Sequence, residues 1–527
     1  MLLRLTIYAL TALVCLPLVV VLSSLWSPDP EIWAHLRGYV LPDLVRNTVY
    51  LGLGTLSLTV LLGVGLAWLT AMYQFPAANY FAWALMLPLA IPTYVLAFVQ
   101  SGLFDYGGAL RQLARDVGFE SYLPEMRSVT GAIWVMTLAF YPYVYLLARN
   151  AFLTMGNRAL EAGQSLGLSR RQGFWRLALP MARPWIAAGA LLVLMETLAD
   201  FGAVSILNVD TFTTAIYKAW FALFSLNTAS QLASILVLIA FVLMILEQAV
   251  RGARRYTATG RHSQHYAVAL TGGRAIAASL ACASVLAIAF VIPLVQLMVW
   301  AYQSRQDLDS RYWGFVGHSV TLSVLAALLV VGVALLLAYG KRRLPQAHIS
   351  LMVKASSLGY AIPGAVLAVG IFVPIAGLDN YLIEQFALSQ SAIFKGTLVV
   401  MLLAYLVRFL AVGLQPTQSA LERVSPNQEL AARSLGYTGW RLVSAVHIPM
   451  MRGGLLTALL LVFVDVMKEL PITLMTRPFG WDTLAVRIFE MTSEGQWQQA
   501  ALPAVLLVLV GLVPVWLITH HSENKTS

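Results

Sequence analysis

The sequence predicts an all-α polytopic membrane protein, with about twelve transmembrane helices in two homologous six-helix halves. Three observations carry that expectation. Of the 527 residues 59% are hydrophobic and only 11% are charged, against roughly 25% charged in ordinary soluble domains, and a soluble core cannot absorb so much apolar surface. Several apolar runs reach the ~20 residues that a helix needs to cross hydrocarbon, and no alternating segments of about ten residues suggest an outer-membrane barrel. The third observation is an internal repeat. The stretch EAGQSLGLSRRQGFWRLALP, Glu161 to Pro180, returns as QELAARSLGYTGWRLVSAVHIP, Gln428 to Pro449, and an offset of 269 residues aligns both Gly167 with Gly436 and Pro180 with Pro449.

Taken in order, the first-half runs cover about 5–25, 48–73, 80–104, 129–152, 185–207 and 230–250. The second half gives about 275–301, 318–340, 350–376, 396–414, 453–475 and 500–520. The run after Arg4 ends in Ser23, Ser24 and Trp26 without a small-residue cleavage site, so it reads as an uncleaved first span. Ala90-Ile91-Pro92 in span three returns as Ala361-Ile362-Pro363 in span nine at an offset of 271 residues, and each proline is expected to kink its helix. Arg251 to Arg274 is polar, basic and Gly-rich. It is expected to join a first half, residues 1–250, to a second half, residues 275–527.

The formal net charge of +10 does not point to nucleic acid, because its basic residues fall in particular loops between apolar spans. Arg158, Arg170, Arg171, Arg176 and Arg183 lie in one repeated loop, and Arg423, Arg433, Arg441 and Arg452 in the other. Arg251, Arg254, Arg255, Arg261 and Arg274 follow span six, and Lys341, Arg342 and Arg343 follow span eight. The opposite loops are mixed or acidic, so the positive-inside rule places both repeated loops and both termini in the cytoplasm. Cys15 and Cys282 sit inside apolar runs and read as small hydrophobic residues.

Each copy of the repeated loop begins with small, helix-forming residues, then meets Gly167 or Gly436, which supplies a turn other residues resist. A second amphipathic segment with Trp175 or Trp440 follows, and Pro180 or Pro449 punctuates the approach to the next span. A helix-turn-helix lying at the membrane surface is expected. This pattern resembles the EAA loop of permease subunits in bacterial ABC importers: Glu-Ala-Ala, three residues, Gly, nine residues, then a hydrophobic-x-x-Pro ending. The first copy has Glu161, Ala162 and Gly167, with Gly163 for the second Ala; the second has Glu429, Ala431, Ala432 and Gly436, with Leu430 where Glu is expected. The resemblance implies the type I importer permease fold, and coupling helices that dock on a separate cytoplasmic ATPase through these residues. No GxxxxGK[ST] nucleotide-binding loop occurs in this chain, so the energy is expected from a partner, and no cofactor or catalytic cluster is expected.

Just after the two loops, spans five and eleven contain ETLADFGAVSIL from Glu196 and DVMKELPITLM from Asp465. The 269-residue offset pairs Glu196 with Asp465 and Asp200 with Glu469. An acid at the bilayer centre costs about 2.5 to 3.5 kcal/mol on insertion scales. Within each pair the four-residue spacing would put both carboxylates on one helical face, and a pseudo-two-fold axis would bring the two faces to a central route. These oxygens suit a hard cation. Lys468, three residues after Asp465, offers the alternative of local neutralisation.

Across nearly the whole chain the sequence is similar to the fused permeases of bacterial iron(III) importers, through the two loops, ETLADFGAVSIL running into FTTAIYKAWF, and KELPITLM with the later WDTLAVRIFE. That resemblance implies iron(III) movement from periplasm to cytoplasm across the inner membrane, two copies of an ABC ATPase, and a periplasmic ferric-binding protein. Thiamine or a polyamine would suit the same carboxylates. A major facilitator transporter would need a charged Gly-x-x-x-Asp-Arg-x-Gly signature between spans two and three, where this chain has only QFPAAN, Gln74 to Asn79.

Overall fold

The computed structural model describes residues 2–26, 33–34, 36–155, 163–165, 167–252, 267–307, 310–387 and 392–523. Among the described residues ten helices are long and apolar enough to cross a membrane. Ala78–Ala90 and Thr93–Asp116 form a pair bent by 93° at a short break, an eleventh span if the two are counted as one. The twelfth expected run lies within the 27-residue helix Trp497–Glu523. The one strand pairing among the described residues is the two-residue parallel contact of Tyr73–Gln74 with Val268–Ala269, within the last part of the central linker.

The chain forms two compact units, and each takes segments from both sequence halves. One comprises Met1–Leu36, Ala215–Val237 and Leu308–Arg487; the other comprises Arg37–Thr214, Leu238–Asp307 and Ile488–Ser527. In the former, the first span lies along second-half helices. Thr11 Oγ1 donates to Met352 O at 3.3 Å, and a Cβ on Gly370 would stand 2.6 Å from Pro17 O. In the latter, the seventh span does the reciprocal thing. Phe98 stacks between Trp300 and Trp497, with centroids 6.3 and 6.4 Å away, and Ser304 Oγ donates to Gln498 O at 2.9 Å.

Lipid offers no hydrophobic drive for helix association, so close packing has to supply it, and small residues permit the approach. A Cβ on Gly63 would meet Val144 Cβ at 2.8 Å, and one on Gly189 would meet Val144 Cα at 3.0 Å. Spans two, four and five therefore close around Val144. In the second half a glycine takes the place of Val144. Gly413, at the 269-residue repeat distance from Val144, accepts Val330, whose Cγ1 would lie 2.9 Å from a Cβ there.

Both predicted proline kinks are full breaks. Pro92 and Pro363 have extended ψ values of 145° and 140° and precede new helices at Thr93 and Gly364. Each is preceded by a tight 3-10 turn, Leu87–Ala90 or Leu358–Ala361.

Candidate functional site: paired loops and acid-capped helix breaks

In the second loop, Ser425 and Gln428 form a reciprocal capping box that starts a helix at Pro426 and carries it to Ser434. Gly436 then takes φ +86. Its amide donates to Arg433 O at 3.0 Å and the Tyr437 amide to Ala432 O at 3.1 Å, the crossed pair of bonds of a Schellman turn, which favours glycine. The first loop repeats this geometry. Gly167 has φ +84, its amide donates to Gln164 O at 2.9 Å, and Leu168 N donates to Gly163 O at 3.0 Å. Glu161 and Ala162 lie outside the described residues.

The second amphipathic segment is not a separate surface helix. Arg171–Ala199 and Gly439–Lys468 each run unbroken from the turn through the membrane-length span. A π turn, Phe174–Ala178 or Val443–His447, directly precedes Pro180 or Pro449. Proline lacks an N–H and crowds the preceding turn, and a widened turn accommodates it without ending the helix. Trp175 and Trp440 are exposed on these feet.

Glu429 does not face outward. Its side chain is 13% exposed and lies between Arg342 and Arg433, accepting from Arg342 Nε at 3.1 Å and from Arg433 Nη2 at 2.5 Å. Ala432 is buried and Ala431 exposed. Leu430, at the place where the loop pattern expects Glu, is 58% exposed.

The acids sit differently from the expected single helical faces. The helix carrying Glu196 stops at Ala199, and Asp200 is extended with ψ 134°. The helix carrying Asp465 stops at Lys468, and Glu469 is extended with ψ 122°. The physical reason is that Asp200 and Glu469 cap the next short helices, Gly202–Ile206 and Pro471–Thr476. Asp200 Oδ1 accepts from the amides of Ala203 and Val204 at 2.9 and 3.3 Å. Glu469 accepts from the amides of Ile472 and Thr473, both at 3.1 Å. Backbone donors freed at a break inside an apolar segment have no water to turn to, and these carboxylates meet them. Glu196 acts electrostatically on Asp200, and Asp465 on Lys468. Among the described residues no three His, Cys, Asp or Glu side chains are grouped to hold a metal ion.

Several residues that periodicity did not single out complete the breaks. Thr93 Oγ1 donates to Asp200 Oδ2, and Thr213 Oγ1 to Asp200 O at 2.6 Å. In the second half Thr473 Oγ1 donates to Glu469 O at 2.8 Å and also contacts Tyr405 OH at 2.6 Å. Arg408, on the span Leu398–Glu422, donates to the carbonyls of Tyr360 and Ile362 beside Pro363 and brings a positive charge near Glu469. The carbonyls ahead of Pro92 are met by tyrosines instead: Tyr141 OH donates to Leu85 O and Tyr145 OH to Ala82 O, both at 2.9 Å. A lone Arg within AYLVRFLAVG was the available sequence signal for Arg408.

Two repeats of apolar spans, each with a Schellman-turned loop running into a span that ends in an acid-capped break, define a membrane permease built from two fused halves. The chain belongs to the family described as binding-protein-dependent transport system inner membrane component, which matches residues 59–255 and 350–527. It is 28% identical over 489 residues to the Fe(3+)-transport system permease protein FbpB 2 of Haemophilus influenzae, covering 91% of this chain and 90% of that one. It is 20% identical over 507 residues to the ferric transport system permease protein FbpB of Actinobacillus pleuropneumoniae, covering 92% and 72%. Over a shorter stretch of 212 residues, 39% of this chain and 73% of the relative, it is 31% identical to a putative 2-aminoethylphosphonate transport system permease protein, PhnV, of Salmonella typhimurium.

Proposed function

We propose that this permease carries iron(III) across the bacterial inner membrane into the cytoplasm, driven by a separate ABC ATPase and supplied by a periplasmic ferric-binding protein. The observation that carries the reading is the match along 91% of the chain to a permease named for Fe(3+) transport. Two loops of one geometry, Gly167 and Gly436 at φ +84 and +86, fit two ATPase copies, one per loop. The basic residues of these loops support a cytoplasmic position for them and for both termini. The sequence halves 1–250 and 275–527, joined by residues 251–274, correspond in this reading to permeases that other systems make as separate chains.

Glu196, Asp200, Asp465 and Glu469 offer a passing cation transient oxygen contacts. Asp200 and Glu469 already accept amide hydrogen bonds, which suits weak, releasable contacts rather than a tight cage. Iron is here the substrate. A second reading, import of a small organic ion such as an aminophosphonate, has the 31% identity over 212 residues in its favour.

The test is uptake of radiolabelled iron into proteoliposomes holding the permease and its ATPase, with the binding protein outside and ATP enclosed. Uptake that needs both partners is expected, and the paired change Glu196→Gln with Asp200→Asn should lower uptake per permease. Unchanged uptake in that variant would remove the acids from the path. Uptake of 2-aminoethylphosphonate but not iron would replace the substrate.

A further inference from the structure

The ion cluster at Glu429 ties together three elements of one compact unit. Arg342, in the last turn of the helix Arg311–Arg343, bonds the Glu429 carboxylate through Nε and Nη2 at 3.1 Å each. The same guanidinium donates to Leu421 O at 2.5 Å and Val424 O at 2.7 Å, at the end of the helix Leu398–Glu422. Arg433 closes the other carboxylate oxygen at 2.5 Å, and the buried His447 ring lies 3.8 Å from Glu429. Apolar packing does not fill this region. A cavity of about 960 Å³ opens beside the cluster, lined by Lys341, Arg342, Glu422, Glu429 and Arg433 among others. The guanidinium is therefore a main mechanical link from the short helix Pro426–Ser434 to the spans behind it, and a planar fork that meets a carboxylate and two carbonyls at once fixes angle as well as distance.

We infer that Arg342 is a positioning residue for energy coupling: by holding Glu429 inward it makes the second loop present an apolar surface to the ATPase. Leu430, Leu435, Tyr437 and Trp440 are 58%, 77%, 40% and 64% exposed on that loop. Removing the guanidinium frees Glu429 to swing outward and leaves the helix Pro426–Ser434 loosely held over the cavity. The partner surface for this loop is then a groove that takes Leu430, Leu435, Tyr437 and Trp440 beside the exposed Arg433 and Arg441, whereas the first loop retains Glu161 at the pattern's acidic position. The inference rests on the reading of these loops as the ATPase dock.

The experiment uses the full permease with its ATPase and binding protein in proteoliposomes, measuring ATP hydrolysis stimulated by loaded binding protein, iron taken up per ATP hydrolysed, and ATPase retained per permease. Arg342→Ala should lower iron per ATP about tenfold, the scale of a lost charged hydrogen bond. Arg342→Lys should recover part of that loss, because it restores charge near Glu429 without the fork. Glu429→Gln, which keeps size, should reproduce the coupling defect at wild-type abundance and covers the case in which Arg342→Ala does not fold. Leu430→Glu should reduce the ATPase retained. Wild-type coupling in both Arg342→Ala and Glu429→Gln, or full retention in Leu430→Glu, would overturn the inference. A wild-type permease that retains no ATPase would overturn the underlying reading and the inference with it, an outcome separate from a variant-specific failure.

Discussion

At the break that follows the fifth span, Thr93, Asp200 and Gly202 occupy the places that Gly364, Glu469 and Pro471 occupy after the eleventh. The first set puts a hydroxyl beside a short acid and glycine at the start of the capped helix; the second puts nothing beside a long acid and proline there. A Cβ on Gly364 would lie 2.8 Å from both Glu469 Oε1 and Pro471 Cγ, so the extra methylene of the acid and the proline ring together fill the space that Thr93 takes in the other half. Two halves descended to one backbone plan keep total volume and exchange which partner supplies it, as tightly packed interiors require.

The largest expected effect comes from breaking that balance on one side only. Gly364→Thr adds atoms against a proline ring and a carboxylate already held by two amides, and overpacking of this kind costs about 1 to 3 kcal/mol. Thermal unfolding of the purified permease in detergent should show a clear loss of stability. Next in size is Arg408→Leu. It leaves the carbonyls of Tyr360 and Ile362 without their donor, an expected cost of about 1 to 3 kcal/mol by the same measurement. Smallest is a contrast between glycines. Gly63→Ala would press a Cβ on Val144 Cβ at 2.8 Å and on the Tyr145 backbone N at 2.9 Å, while Gly413→Ala would meet only a side-chain atom that close, Val330 Cγ1 at 2.9 Å. Backbone cannot yield as a side chain can, so Gly63→Ala should unfold at the lower temperature, with Gly413→Ala costing only about 1 kcal/mol. Equal effects would mean that the backbone contact at Gly63 yields as readily as the side-chain contact at Gly413.

The spans, their repeat and the left-handed turns at Gly167 and Gly436 were legible because hydropathy, spacing and glycine each act locally. The ends of the helices at Ala199 and Lys468 were not. Four-residue spacing between acids fits a continuous helix, and choosing against it requires noticing that Gly202 and Pro471 stand two residues after Asp200 and Glu469 in matching places. The continuity of the helices through Pro180 and Pro449 was hidden for the opposite reason, since a π turn relieves a proline that local rules read as a stop. The inward-turned Glu429 pairs with Arg342, 87 residues earlier in the chain, and no local pattern announces such a pairing. Nor does periodicity show that the first and seventh spans lie in compact units with helices of the other sequence half.

The most direct test of paired, size-exchanged breaks is to graft the first-half set onto the second half. The single change Gly364→Thr is compared with the triple change Gly364→Thr, Glu469→Asp and Pro471→Gly by unfolding temperature in detergent at matched purity. Shortening the acid and removing the ring open the space the new side chain needs, and Asp retains an acceptor for the capped amides. The triple variant should therefore regain at least half of the stability that the single variant loses. A triple variant no more stable than Gly364→Thr alone would mean that the two breaks are not interchangeable solutions of one design.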